Sequence, residues 1–132
     1  MKQFGLSKNE RIKSKNEFGL VYTKGSVLYS SGKKLKANYY SQSSSDSQGV
    51  KVAFGVHRKS GKAVWRNRIK RLLRTSYRLN KRNLVENCTS KSKQLFLVIS
   101  PYGINQKNNR TVYLKDVEHD VIEIMHKIAA NL

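Results

Sequence analysis

One cysteine, one proline and eight carboxylates in 132 residues are the scarcities that frame this sequence. A lone Cys88 cannot close an internal disulfide and leaves no cysteine-based zinc site, so the chain suits a reducing, intracellular compartment. No apolar run approaches the roughly 20 residues that cross a bilayer, which excludes a transmembrane helix. The opening stretch, MKQFGLSKNERIKSK, lacks the apolar segment of a secretory signal and argues against export by that route. Hydrophobic residues at 38% suffice for one modest core and are too many for a fully disordered chain. With no linker composition and no internal repeat, residues 1–132 are expected to form a single domain.

What the chain has in excess is positive charge. Lysine and arginine number 27, for a formal net charge of +19. The charge is segregated: no Asp or Glu lies between Ser47 and Val85, and twelve of the 27 basic residues fall within Lys51 to Arg82. Four of the eight acids (Asp116, Glu118, Asp120 and Glu123) gather near the C-terminus. Charge carried for solubility mixes signs, whereas a purely cationic stretch repels itself unless a polyanion neutralises it. The partner is therefore expected to be nucleic acid or an anionic membrane surface.

Local patterns give the elements. Ser14-Lys15-Asn16-Glu17 has the capping-box spacing, Phe18, Val21 and Tyr22 follow at i, i+3, i+4, and Gly25 supplies a stop, predicting a helix over Lys15 to Lys24. A second capping-box match, Ser7 to Glu10, precedes only Ile12. Strands are predicted at Val27–Tyr29, Lys34–Tyr40 and Val50–His57, with Val50, Val52, Phe54 and Val56 on one side of the third. Ser41 to Gln48 reads as a polar, mobile loop. Gln94–Ser100 is a near-continuous apolar run, as a strand buried on both faces would be, and Pro101 ends it. A last helix is predicted from a cap near Thr111, with Leu114, Val117, Val121, Ile124, Met125 and Ile128 at helical spacing.

Lys62 to Arg82 is the most informative segment. At about 100° per residue, Trp65, Ile69, Leu72, Leu73, Ser76 and Leu79 fall in one sector of a helix. Arg66, Lys70, Arg71, Arg74, Arg78, Lys81 and Arg82 fill the opposite side. Guanidinium forks match phosphate oxygens, and one helical face presents several of them at once. Asn67 adds an amide for a ribose hydroxyl or a base edge. A small domain needs the apolar sector for its own core, so insertion into a membrane would compete with folding. Nucleic acid is the partner this pattern favours. The element order α-β-β-β-α-β-α describes an α+β fold with helices packed on one small central sheet.

The run Val52 to Arg74, V-A-F-G-V-H-R-K-S-G-K-A-V-W-R-N-R-I-K-R-L-L-R, resembles the signature region of the bacterial ribonuclease P protein family. The matching positions are Lys59, Gly61, Ala63, Val64, Arg66, Asn67, Arg68, Lys70, Arg71 and Arg74. The segment E-F-x-x-V-Y-x-x-G from Glu17 to Gly25 is similar to the family's first helix, and the element order agrees from about Asn9 onward. The resemblance implies a ribosomal protein S5 domain 2-like fold with a left-handed β-α-β crossover. It implies a subunit of an endoribonuclease that assists a catalytic RNA in removing the 5′ leader of precursor tRNA. The Mg2+ ions of that hydrolysis would be bound mainly by RNA and substrate. Partners would be the catalytic RNA and precursor tRNA, with no membrane and no DNA, in the cytoplasm.

Residue by residue, the resemblance assigns catalytic-RNA contacts to Arg58, Lys59, Lys62, Arg66, Asn67, Arg68, Lys70, Arg71 and Arg74. Leader contacts fall to Phe18, Tyr22, Tyr39, Tyr40 and His57, in a cleft between the first helix, the sheet and the basic helix. Single strands need stacking platforms for their exposed bases. Core packing is the competing role for Phe18, Val21 and Tyr22, since a tyrosine can bury its ring and keep its hydroxyl wet. Either Tyr39 or Tyr40 faces the cleft. His57 stands where the family commonly has a small serine, and is a stacking ring, a charge near an anion, or a plain surface histidine. Gly55, Arg58 and Thr75 also depart from the family's usual residues.

Nothing supports a self-sufficient nuclease, for which paired carboxylates would hold two metals. Asp116, Asp120 and Glu123 are expected to be solvated charges on the last helix, and His119 with Glu123 a weak i,i+4 pair. No catalytic residue and no protein metal site is assigned. Two other classes compete: a small ribosomal protein whose basic helix docks in ribosomal RNA, and an architectural protein of duplex DNA. The second has no helix-turn-helix, zinc finger or leucine repeat behind it.

Overall fold

The computed structural model describes residues 10–44 and 48–132. The Ser7 end of the upstream capping-box match, and residues 45–47 of the polar loop, lie outside the described residues. The elements run α1 (Lys15–Lys24), β1 (Ser26–Tyr29), β2 (Leu35–Ser43), β3 (Gly49–Phe54), a 3-10 turn (Arg58–Ser60), α2 (Ala63–Asn80), α3 (Arg82–Ser90), β4 (Lys93–Pro101) and α4 (Leu114–Asn131). The expected order holds, with α3 added between α2 and β4. The four strands lie in the order β1-β2-β4-β3. β2 is antiparallel to both neighbours, whereas β3 and β4 are parallel and joined through α2 and α3.

β4 is central and is buried on both faces, as its apolar run predicts. Leu95, Leu97 and Ile99 join the main core with Leu35, Ala37, Val50 and Val52, beneath α2, α3 and α4. Phe96 and Val98 belong to a second, smaller cluster on the opposite face, with Ile12 and Val21. α1 forms where its capping box requires: the Ser14 hydroxyl accepts from the Glu17 N–H at 3.1 Å. At its end the Gly25 N–H closes on the Val21 carbonyl at 3.1 Å. A Cβ at Gly25 would stand 2.5 Å from the Tyr39 carbonyl oxygen, so only glycine lets α1 turn directly into the sheet.

Three expected boundaries move, each for a backbone reason, and one helix is added. β2 runs on to Ser43, beyond Tyr40, because Ser41, Gln42 and Ser43 pair with Leu95, Gln94 and Lys93. Ladder bonds are made by the main chain, so polar side chains do not end a strand that still has a neighbour. β3 stops at Phe54 rather than His57; the Gly55 N–H still reaches the Ile99 carbonyl, and then the chain turns. α4 begins at Leu114, not at Thr111, with the Asp116 carboxylate accepting from the Tyr113 N–H at 2.7 Å. The missed α3 follows a break at Lys81, and its buried residues are Leu84 and Cys88, one turn apart.

The buried side of α2 is also rotated from the expected sector. Leu79 is 42% exposed, whereas Tyr77 is fully buried. Burial centres on Ile69 and Leu73, which places position 77 inside and 79 at the margin. The Tyr77 ring meets Phe54 edge-on at 6.0 Å, and its buried hydroxyl has no hydrogen-bond partner among the described residues. Burial pushes that phenol's pKa far up, with the negative charge of Glu10 adding to the effect. An unpaired buried hydroxyl costs about 1–3 kcal/mol. Tyr77→Phe therefore raises the thermal unfolding midpoint or leaves it unchanged; a clear drop would reveal a partner for the hydroxyl.

Candidate nucleic-acid interface

The sequence-predicted cations collect in two connected places. Along α2, Asn67, Arg68, Arg71 and Arg74 are exposed, while Arg66 and Lys70 are half-buried. Arg71 and Arg74 make no hydrogen bond or ion pair among the described residues. Two neighbours are tied down instead. Arg66 Nε donates to the Gly61 carbonyl at 3.1 Å. Arg68 donates through Nε and Nη2 to the Val112 carbonyl at 3.2 and 2.9 Å, holding the start of α4 against α2. Each arginine keeps other N–H donors on the outside of the helix.

Ahead of α2 lies an open basin of about 780 Å³ between the 3-10 turn and the loop after β4. Arg58, Lys59, Lys62 and Lys107 line it, with His57 at the rim and no carboxylate in the lining. The basin is braced by Gln106, whose side-chain carbonyl accepts from the Lys62 N–H at 2.7 Å and whose N–H reaches the Ser60 carbonyl at 2.8 Å. Trp65 Nε1 donates to the Asn109 carbonyl at 3.0 Å, fixing the same loop to α2. Gly61 is needed at this crossing, because a Cβ there would lie 2.8 Å from both Gln106 and the Trp65 ring. The His57 ring has a structural task, its Nδ1 accepting from the Lys59 N–H at 3.1 Å.

The sheet register decides between the two strand tyrosines. Leu35 and Ala37 point into the main core, and Tyr39 packs on that same face, its hydroxyl accepting from Asn131 Nδ2 at 3.2 Å. Tyr40 points the other way and packs with Phe18 on the cluster beneath α1. Tyr39 is therefore separated from Phe18, Tyr22 and Tyr40 by the thickness of the sheet, which corrects its grouping with them. Val21 is core, whereas Tyr22 on the same helix is 59% exposed. Around the β3 edge, Arg74 and Arg11 line a small recess with Ala53 and Phe54, joining the α2 cations to the α1 side of the sheet. Arg11 gave no periodic signal; it is brought there because Ile12 N–H bonds to the Val52 carbonyl at 3.1 Å. Gln106 and Lys107 were hidden in an aperiodic loop.

The carboxylates depart from expectation. Asp120 is only 9% exposed, and Glu123 accepts from the Ser31 N–H at 2.9 Å, from the Ser31 hydroxyl, and from Lys127 at 2.8 Å. Lys127, not His119, is its partner, and Glu123 ties α4 to the β1–β2 turn, whereas the buried Asp120 Oδ2 has no hydrogen-bond partner among the described residues. Among the described residues no group of three or more His, Cys, Asp or Glu side chains is placed to hold a metal ion. None of the described helices is long and apolar enough to cross a membrane. One carboxylate does belong to the α1 face: Glu17, bonded to Lys51 at 2.8 Å. Partial burial opposes its ionisation, but the Lys51 ammonium and the Lys13 and Ser14 N–H groups outweigh that and hold its pKa below the ordinary 4.5.

Comparison with known proteins gives one consistent result. A sequence model of the family described as Ribonuclease P matches residues 6–127. The ribonuclease P protein component of Finegoldia magna is 31% identical over 122 residues, spanning 92% of this chain and 93% of that one. The component from Clostridium botulinum is 32% identical over 127 residues, spanning 91% and 95%. In fold, the chain is similar to the RNase P protein of Thermotoga maritima, with a TM-score of 0.68 at 21% identity over 89% of this chain and 96% of that one. An RNase P protein from Staphylococcus aureus superposes with a TM-score of 0.61 at 22% identity, over 95% and 92%.

Two expectations follow from the geometry. A carboxylate with a depressed pKa adds stability above its unfolded value that is lost as pH falls through the folded value. Glu17→Gln should therefore lower the unfolding midpoint at neutral pH, and the gap to the parent should close below 4.5. A gap that persists in acid would show that the charge is not what Glu17 contributes. Arg68→Ala should cost about 1–2 kcal/mol of stability through the lost Val112 bonds, and Arg71→Ala close to none, as measured by denaturant unfolding.

Proposed function

The chain belongs to the ribonuclease P protein family, and we propose that it acts as the protein subunit of that endoribonuclease in tRNA processing. It binds the catalytic RNA through α2 and the basin, and it holds the 5′ leader of precursor tRNA on the α1 face of the sheet. The observation that carries this reading is one of arrangement: a cationic helix face and basin without a carboxylate run, around the β3 edge, into a face bearing Tyr22, Phe18 and Tyr40. Cations supply affinity for any phosphate backbone, and rings supply preference for unpaired bases.

The division of labour is chemical. Arg71 and Arg74 neutralise phosphates as fixed forks, with Arg58, Lys59, Lys62, Arg66, Asn67, Arg68 and Lys70 around them. Tyr22 offers an exposed ring to a leader base, and Tyr40 and Phe18 form the wall behind it. His57 marks the rim of the basin. Mg2+ would activate the attacking water and stabilise the leaving oxygen in the hydrolysis; in this reading the ions are held by RNA and substrate, while the protein lowers the repulsion between two polyanions that must meet. Hydrolysis is then the work of the RNA, and the site of action is the cytoplasm.

The direct test is leader cleavage of precursor tRNA by the matching catalytic RNA at low Mg2+, with and without this protein. Strong stimulation is expected, and its absence would remove the proposal. Arg71→Ala should reduce the salt dependence of catalytic-RNA binding by about 0.7–0.9 per lost phosphate contact. Tyr22→Ala should weaken precursor binding by roughly 5- to 150-fold, the equivalent of about 1–3 kcal/mol for one stacked base, and leave mature tRNA unaffected. Equal losses for both would assign Tyr22 to packing.

A further inference from the structure

Two tyrosines outside that assignment stand at the end of the sheet nearest the basin. Tyr29 closes β1 and Tyr102 follows β4; their ring centroids are 4.7 Å apart at 61°, an edge-on pair. They are 38% and 56% exposed, so two aromatic faces are held open to solvent. The pair is fixed from behind: the Tyr102 N–H donates to the Lys34 carbonyl at 2.8 Å, and Lys127 Nζ to the Tyr29 carbonyl at 3.2 Å. Edge-to-face geometry is favoured between such rings, which makes them a preformed unit.

Register places this unit on the same side of the sheet as the leader cleft. Tyr29 lies opposite Lys36, and Lys36, Asn38 and Tyr40 alternate onto the face that carries α1. Tyr102 also lines the cationic basin with Arg58, Lys59 and Lys107. The pair thus occupies the junction between the aromatic cleft and the basin. Midway lies Asn38, 9% exposed, whose Oδ1 accepts no hydrogen bond among the described residues. A buried acceptor without a donor is a group that a base amino or a 2′-hydroxyl can satisfy.

We infer that Tyr29 and Tyr102 form a second stacking platform for the same single strand, receiving a nucleotide of the leader after it has passed Tyr40 and Asn38. Its phosphates would face Lys36, directly opposite Tyr29 in the register, while Arg58 and Lys107 of the basin stay with the catalytic RNA. This rests on the leader reading above and extends it to a defined length of RNA. Four residues of β2 at about 3.3 Å each separate the Tyr40 and Lys36 rows, about 13 Å. At the duplex rise of roughly 3.4 Å per nucleotide that span holds at most about four nucleotides, and fewer when the bases are splayed onto rings.

The experiment is a leader-length series: precursor tRNAs with leaders extended one nucleotide at a time, binding to the assembled ribonucleoprotein. The parent's affinity should rise in two stages. Tyr102→Ala should abolish the second stage, a loss of roughly 5- to 150-fold for the longest leaders, and leave the shortest unchanged; Tyr102→Phe should retain both. Loss at every length, loss with mature tRNA, or weakened assembly with the catalytic RNA would give the pair to that RNA and overturn the inference. So would an unaltered series, or a Phe variant that behaves as Ala does. Failure of the leader reading itself is distinct, because then Tyr22→Ala also fails to separate precursor from mature tRNA. Thermal unfolding of Tyr102→Phe and Tyr102→Ala, compared with the parent, controls for misfolding.

Discussion

Like charges crowd α2, and its cationic face persists because the opposite side of the same helix is locked into the core. Arg66, Arg68, Arg71 and Arg74 have no carboxylate partner among the described residues. Their mutual repulsion is that of exposed charges, about 1 kcal/mol for a pair at 4 Å in water and less in salt. Against it stand Trp65, Ile69, Leu73 and Tyr77, all buried. Each such side chain contributes about 1.5–3 kcal/mol on burial, so packing wins comfortably. The consequence is rigidity: the cations are held at helical spacing before any polyanion arrives, and less conformational entropy is lost on binding.

The few carboxylates follow the same logic in reverse. Asp116 and Glu123 accept backbone N–H groups at the start of α4 and at the β1–β2 turn. Glu10 is paired with Lys81 at the end of α2. Apart from Glu86, which pairs with the exposed Arg82, these carboxylates serve internal fastening, away from the exposed α2 arginines, where they would cancel the field a nucleic acid meets. Glu17 is the other exception, and its position explains it: the carboxylate completes the cap of α1 while neutralising Lys51 beneath.

Much of this was legible in the order of residues. The capping box at Ser14 and Glu17, the doubly buried strand Gln94–Ser100, and the two-sided character of α2 each rest on a local period, and each stands in the structure. What escaped depends on long-range partners. Ser41 to Ser43 are strand only because β4 lies alongside, and Arg11 enters the site only because its neighbour Ile12 bonds to β3. Tyr39 and Tyr40 are adjacent and chemically alike, so only the register with β4 could separate them. α3 was hidden because its polar first residues continue the cationic run of α2. A loop such as 101–113 has no period at all, and its contribution to the basin is set by the Gln106 and Trp65 contacts.

The two faces of the sheet solve different problems, and the separation matters for the proposed function. A nucleic-acid site that was also the main core would make folding depend on the ligand. Here the α2, α3 and α4 face is closed and apolar, carrying Leu35, Leu97 and Ile99. The α1 face is covered by a smaller cluster and leaves Tyr22 open. Charge alone would bind duplex and single strand alike, since phosphate contacts carry no information about pairing. Selectivity for an unpaired segment has to come from rings, and rings are useful only where the sheet is uncovered. A short helix and the Ile12 segment on one face, beside a helix with an apolar back and a cationic front, meet both demands with one small core.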